Sequence, residues 1–409
     1  MLHNWQSIPG GITAPRGFLA AGITAGLKVS GAPDLALLVA PEDSVCTGTF
    51  TSSVVRAACV DLCADRLRAT AGRVRAVLIN SGQANACTGE RGLLDSQQAT
   101  HALAAQLGLR DQQVLIASTG VIGVPIPMST LLSGLEPLVA GLSPAGAEAA
   151  AGAILTTDLV KKQIAVEADL AGRRVRIGGM AKGSGMIHPD MATMLGFISC
   201  DAGIEPSLWQ GMVQRAVARS FNAITVDGDT STNDTLLAFS AGEPLQPQHF
   251  SALEQGLTSV AQSLARAIAR DGEGATCLIE VQVEGSANEA EALRIARTVC
   301  GSSLVKTAVH GRDPNWGRIV AAAGRAGVRF EPELVALWLG THQLMAHGQP
   351  LSFDRSAASQ YMQDRAAGEY LIDDTVVIRL RVGDGPGAAL AWGCDLSDQY
   401  VRINADYTT

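Results

Sequence analysis

A threonine hydroxyl becomes a useful nucleophile only when a base beside it takes its proton. Residues 182–196 read KGSGMIHPDMATMLG and place a Gly-rich turn, a lysine, a Pro-Asp corner and an Ala-Thr junction in one short stretch. A chain cut between Ala192 and Thr193 would begin with Thr193, and its new α-amine would be that base. Gly183 and Gly185 would allow close backbone approach, and Lys182 would supply a cation. Taken alone, the plainer reading is favoured: a Gly-rich turn leading into a buried strand over 194–199.

Other stretches carry chemistry at matching spacing. In 116–123 (IASTGVIG) a strand ends in Ser118-Thr119-Gly120, where the Thr119 hydroxyl and the Gly120 N–H could face one oxyanion. An ordinary Ser/Thr turn explains the same residues. Residues 227–234 (DGDTSTND) are dense in carboxylates and hydroxyls, but positions 238 and 239 are Ala and Phe where a calcium loop would close with Glu. A hydrogen-bonded turn near a site fits them better than a metal. Glu273 lies between Gly272 and Gly274, where its carboxylate could reach an ammonium group. Residues 80–89 form an amide-rich turn that braces its neighbours, and 310–318 pack polar groups around Trp316 in a supporting role. The tail 400–409 alternates like a strand to its last residue, an arrangement that predicts a docked end.

The elements that must position these residues alternate along the chain. Short apolar runs at 34–40 and 74–80 predict buried strands. Residues 164–170 and 174–177 predict a hairpin leading to Lys182, and further strands are expected at 276–284, 375–382, 388–392 and 400–403. Helical spacing appears at 94–107, 143–155 (with Ser143 as cap), 208–218 and 253–270. Such a mixture predicts an α/β or α+β sandwich.

Composition narrows the function. The 409 residues are 47% hydrophobic with few aromatics and many Gly and Ala, consistent with a large small-residue core. A net charge of −8 and the lack of a Lys/Arg block argue against nucleic acid as a partner. Neither a secretory signal nor an apolar run of about 18 residues is legible, so a cytoplasmic protein without a membrane span is expected. The eight cysteines include no CxxC pair. They predict reduced, buried thiols, with Cys59 and Cys63 on one helix or strand edge, and no metal site.

Taken together and in this order, these motifs resemble the ornithine acetyltransferase family, the glutamate N-acetyltransferases of arginine biosynthesis. The resemblance runs from Pro9-Gly10-Gly11 through 80–85, 118–123, Thr156-Thr157-Asp158, 182–195, 227–234, 271–275 and 310–318 to the tail 404–409. It implies a sandwich of two β-sheets flanked by helices, shared with self-processing aminopeptidases. It implies self-cleavage at Ala192–Thr193 into an α chain 1–192 and a β chain 193–409 that share one fold, assembled as an α2β2 heterotetramer. Thr193 is then the nucleophile, and Thr119 and Gly120 form the oxyanion hole. Thr156, Lys182, Thr193, Glu273, Asn404 and Thr409 bind substrate. The implied substrates are N2-acetylornithine and glutamate, with no cofactor and with acetyl-CoA as a further acetyl donor in some members. Many family members carry Thr where this chain has Leu159, which removes any role from that side chain and leaves Thr156 intact. A self-processing aminopeptidase or amidase of the same fold is the alternative.

Thr193→Ala is therefore expected to leave one uncut chain of 42.4 kDa on a denaturing gel and to abolish transfer. Two fragments from that variant would contradict self-cleavage by Thr193.

Overall fold

The computed structural model describes residues 5–170, 172–188 and 194–406. Among these, three sheets organise the chain. A six-stranded sheet runs in the order Gln6–Ile8, Lys162–Leu170, Arg173–Lys182, Leu195–Cys200, Thr235–Ser240, Val45–Phe50. A four-stranded sheet runs Leu19–Ile23, Leu35–Val39, Ala76–Gln83, Val114–Val121. These two stack face to face, and the period of two along each strand divides its side chains between two cores. Ala36 and Leu38, Val77 and Ile79, and Leu115 and Ala117 turn toward the other sheet, where they meet Leu195, Phe197, Leu237 and Phe239. Their alternates Leu35, Leu37, Ala76, Leu78, Val114 and Ile116 turn outward. With both faces covered, these strands read as continuous apolar runs.

Helices close the sandwich on both sides. Ala58–Thr70 and Gly89–Leu107 cover the four-stranded sheet through Cys59, Val60, Leu62, Ala99, Leu103 and Ala104. Pro206–Ala218 and Phe250–Arg270 cover the six-stranded sheet. In the latter helix Leu253, Leu257, Val260, Leu264 and Ile268 repeat every three or four residues and form its buried stripe. The shorter helix begins with Pro206 behind the Glu205 carboxylate, which accepts the N–H groups of Ser207 and Leu208 at 3.0 and 3.1 Å. The layered sandwich of two sheets flanked by helices is thus present.

A third, seven-stranded sheet extends it. Its order is Ile224–Thr225, Gly387–Cys394, Leu278–Ser286, Thr375–Arg381, Ala336–Leu339, His342–Ala346, Gln349–Pro350. One face packs against Glu289–Cys300, Ser303–His310, Trp316–Gly324 and Arg355–Ala366. Leu278, Trp392 and Cys394 from its other face join the core around helix Phe250–Arg270.

Most expected elements are present within a few residues, with two local corrections. The helix expected over 143–155 spans Ala147–Ala153. Ser143 does not cap it: its backbone bridges to Ala20, and its hydroxyl accepts from the N–H of Ala145. The tail expected as a strand over 400–403 is a helix, Asp398–Asp406. Among the described residues it pairs with no strand, and an Asp398–Arg402 pair one turn apart at 3.1 Å supports the helical spacing. Cys59 and Cys63 share the helix Ala58–Thr70; of the eight cysteines all but Cys87 are buried, and all are unpaired. Burial pushes the Cys200 thiol up to about 12. No helix among the described residues is long and apolar enough to cross a membrane.

Phe239 is fully buried between the two sheets, edge-on to Phe18 at 6.4 Å between ring centres. Phe239→Ala is expected to cost about 3–5 kcal/mol of unfolding free energy, read from denaturant titration. A loss below about 1 kcal/mol would contradict a tightly packed inter-sheet core.

Candidate active site

The ends of several strands converge on a cavity of ≈ 180 Å³. Strands Ala76–Gln83 and Val114–Val121 run parallel, and their ends pair Ser81 with Thr119 and Gly82 with Gly120. Both glycines have φ of 128°, and a Cβ on Gly120 would sit 2.3 Å from the Gly82 carbonyl carbon. Only glycine permits that approach. It leaves the Thr119–Gly120 segment facing the cavity beside Ala84.

Amides lock this end in place. Ser118 donates to Asn80 Oδ1 at 2.6 Å, and Asn80 donates to the Gln83 carbonyl at 3.0 Å. From the other sheet, Asn233 Nδ2 donates to the Ser118 carbonyl at 2.8 Å and also reaches the Ala84 carbonyl. One buried side chain thereby ties the six-stranded sheet to the end of the four-stranded one.

Lys182 ends the strand Arg173–Lys182 and lies opposite Leu195 on the next strand. Its ammonium donates to Thr156 Oγ1 at 2.8 Å and, at a longer 3.4 Å, to Thr119 Oγ1. Burial lowers the Lys182 ammonium from its ordinary value despite the carboxylate of Asp158 at 3.8 Å. Glu273 follows the C-terminus of helix Phe250–Arg270; its N–H donates to the Ser184 carbonyl, and its carboxylate closes over Gly185. Asn404 Nδ2 donates to Glu273 Oε2 at 2.7 Å. Asn404 and Tyr400 are one helical turn apart, so both line the cavity from one helix face.

The loop 227–234 is a hydrogen-bonded turn on the cavity wall. The Asp227 carboxylate accepts the N–H groups of Met186 and Ile187 at 2.6 and 2.8 Å. It thus holds Met186, whose φ of 57° is an uncommon left-handed conformation for a side-chain-bearing residue. Burial raises the Asp227 carboxyl above its ordinary value even with these donors. The segment that precedes the expected cleavage point is therefore pinned by its neighbour, while Met194 on the far side accepts from the Thr235 N–H at 3.0 Å.

Thr119, Gly120, Thr156, Lys182, Glu273 and Asn404 all line this one cavity, together with Met194 and Leu195. Ala192, Thr193 and Thr409 lie outside the described residues, as do Pro189 and Asp190 of the expected corner. Leu159 turns its side chain to solvent and uses only its N–H, toward Asp271. Residues 80–85 and 310–318 have the bracing roles expected of them: His310 bonds Asp395 at 2.8 Å, and Asn315 caps helix Trp316–Gly324. Sequence reasoning passed over Asn233, Tyr400 and the buried Lys162. The first two lie within the 227–234 and 400–409 stretches, whereas Lys162 has only Asp158 four residues before it, a spacing that signals no burial.

Residues 19–409 match the model of the ArgJ family. The chain belongs to the ArgJ family. It is therefore an enzyme of arginine biosynthesis. It is 72% identical over 409 residues to the arginine biosynthesis bifunctional protein ArgJ of Parasynechococcus marenigrum (strain WH8102), covering all of this chain and 98% of that one. Among solved structures, an ArgJ chain from Bacillus halodurans is 40% identical, covering 53% of this chain and 100% of its own at a TM-score of 0.49. An ornithine acetyltransferase chain from Mycobacterium tuberculosis, crystallised with ornithine, is 41% identical and covers 47% of this chain and 100% of its own at a TM-score of 0.43.

Thr119→Ala is expected to lower kcat for acetyl transfer about 10²–10³-fold while KM changes little. A rise in KM at unchanged kcat would contradict an oxyanion role for Thr119.

Proposed function

We propose that the chain transfers acetyl from N2-acetylornithine to glutamate through an acetyl ester on Thr193, after cutting itself between Ala192 and Thr193. The observation that carries this reading is the convergence of Thr119, Gly120, Thr156, Lys182, Glu273 and Asn404 on one cavity whose wall includes Met194, the neighbour of Thr193.

After the cut, the Thr193 α-amine is largely neutral near pH 8, given an ordinary α-amino pKa of about 7.7–8.0. It takes the proton from Thr193 Oγ as that oxygen attacks the acetyl carbonyl. The Thr119 hydroxyl and the Gly120 N–H stabilise the tetrahedral oxyanion, an interaction worth about 2.7–4 kcal/mol per donor in such sites. Collapse breaks the acetyl C–N bond, and ornithine leaves with the proton from the same amine. The α-amine of glutamate then attacks the ester, releasing N-acetylglutamate and restoring Thr193. Lys182 suits the α-carboxylate of either substrate as a compact cation, and Glu273 suits the ammonium end of ornithine. Before the first cut the Thr193 nitrogen is still in the peptide bond, so another base or water takes the Oγ proton as Oγ attacks the Ala192 carbonyl. The Ala192–Thr193 C–N bond breaks as the leaving nitrogen takes a proton, and water then hydrolyses the ester to give the Ala192 carboxylate and free Thr193.

The antiparallel pairing of Arg173–Lys182 with Leu195–Cys200 supports the reading that the products 1–192 and 193–409 stay in one fold, since neighbouring strands of one sheet come from both. An α2β2 assembly and a cytoplasmic location belong to the same proposal. So does acetyl-CoA as a second donor, which the word bifunctional in the relatives' name favours.

Purified protein with glutamate is expected to form N-acetylglutamate from either N2-acetylornithine or acetyl-CoA, and to release ornithine fast only when glutamate is present. Equal ornithine release without glutamate would make the protein an amidase.

A further inference from the structure

Behind the cavity wall two acidic and two basic side chains form a buried row. The side chains of Asp158 and Lys162 are fully buried, with Asp271 at 3% and Lys182 at 10% exposure. Lys162 Nζ stands between two carboxylates, 2.7 Å from Asp158 Oδ1 and 2.5 Å from Asp271 Oδ2. Asp158 also accepts the Gly183 N–H at 2.7 Å and the Thr156 N–H at 3.0 Å. One carboxylate thereby holds the backbone next to Lys182 and the backbone that carries Thr156. Asp158 is not among the residues that line the cavity.

Burial favours the neutral form of Asp158, but the two ammonium groups and the hydrogen bonds outweigh it and hold the carboxyl well below the usual range. Asp158 therefore stays ionised, and its negative charge faces Lys182 at 3.8 Å. On the cavity side, Lys182 donates to the hydroxyls of Thr156 and Thr119. A hydroxyl that accepts from an ammonium keeps its own hydrogen for another partner. A neutral amine carries a lone pair and could instead take that hydrogen from Thr119.

We propose that Asp158 is a positioning residue that keeps Lys182 protonated and aimed at Thr119, so that the Thr119 hydroxyl presents its hydrogen to the oxyanion. This rests on the acetyl-transfer reading above. The charges that face Lys182 fix the sign of the test. Asp158, Glu273 and Asp234 favour its protonated form, while burial and the neighbouring cations Lys162 and Lys28 oppose it. Removing the Asp158 charge lets Lys182 lose its proton at lower pH, so the alkaline limb of the rate profile moves down.

The test is steady-state acetyl transfer from N2-acetylornithine to glutamate as a function of pH, with wild type, Asp158→Asn, Asp158→Glu and the double variant Lys162→Met/Asp158→Asn. The double variant removes one cation and one anion together, so it does not leave a surplus buried cation. Asp158→Asn is expected to lose kcat on the order of 10²-fold, more than KM rises, with its alkaline limb at lower pH. Asp158→Glu is expected to restore the limb, and the double variant to keep the kcat defect. Wild-type kcat and limb in Asp158→Asn, or a defect confined to KM, would overturn the proposal. Loss of folded protein in both Asn-bearing variants would also overturn it, since Asp158 would then serve the fold. An inactive wild type would instead sink the acetyl-transfer reading itself.

Discussion

The antiparallel pairing of Arg173–Lys182 with Leu195–Cys200 is the constraint on which the site depends. It sets Lys182 directly opposite Leu195, two residues after the expected nucleophile. Every other group of the cavity is placed relative to that pair. The Thr235–Ser240 strand runs parallel beside it and brings Asn233 and the 227–234 turn to the same end. Stacking of the second sheet then delivers Thr119 and Gly120. The apolar core between the sheets fixes the faces, because a one-residue slip of a strand would turn its inner side chains outward, and Asn233 joins the two sheets at the cavity end.

Charge arrangement does the finer work. The cavity wall holds a lysine whose burial disfavours its charged form, and a buried carboxylate behind it opposes that shift. Lys162 and Asp271 balance the arrangement, which removes the large cost of an isolated buried ion. The same Asp158 carboxylate also bonds backbone on two segments, so geometry and protonation are controlled by one group.

Much of this was legible in the sequence for physical reasons. Runs such as Leu35 to Val39 are buried on both faces and announce themselves as continuous apolar strands. Gly120 and Gly185 stand where a Cβ would meet the Gly82 backbone or the Glu273 carboxylate, so glycine at these places marks a close approach in the sequence. Tyr400 to Ile403 has strand-like alternation, while a contact that holds the tail as a helix against the site is distant in sequence: Asn404 with Glu273. Lys162 was illegible for the same reason. Asp158 lies only four residues before it, but Asp271, 109 residues away, meets it only through folding. Short runs of sequence report local preference, and a buried ion pair of long range leaves no local mark.

The central claim is that Thr193 carries the acetyl group. The most direct measurement incubates purified protein with N2-acetylornithine in the absence of glutamate, quenches with acid and maps modified peptides by mass spectrometry. The account predicts one acetyl group on the side chain of a peptide that begins with Thr193, removed when glutamate is added before the quench. A protein that turns over donor in the presence of glutamate yet shows no acetyl on Thr193, or carries it on another residue, would contradict the account.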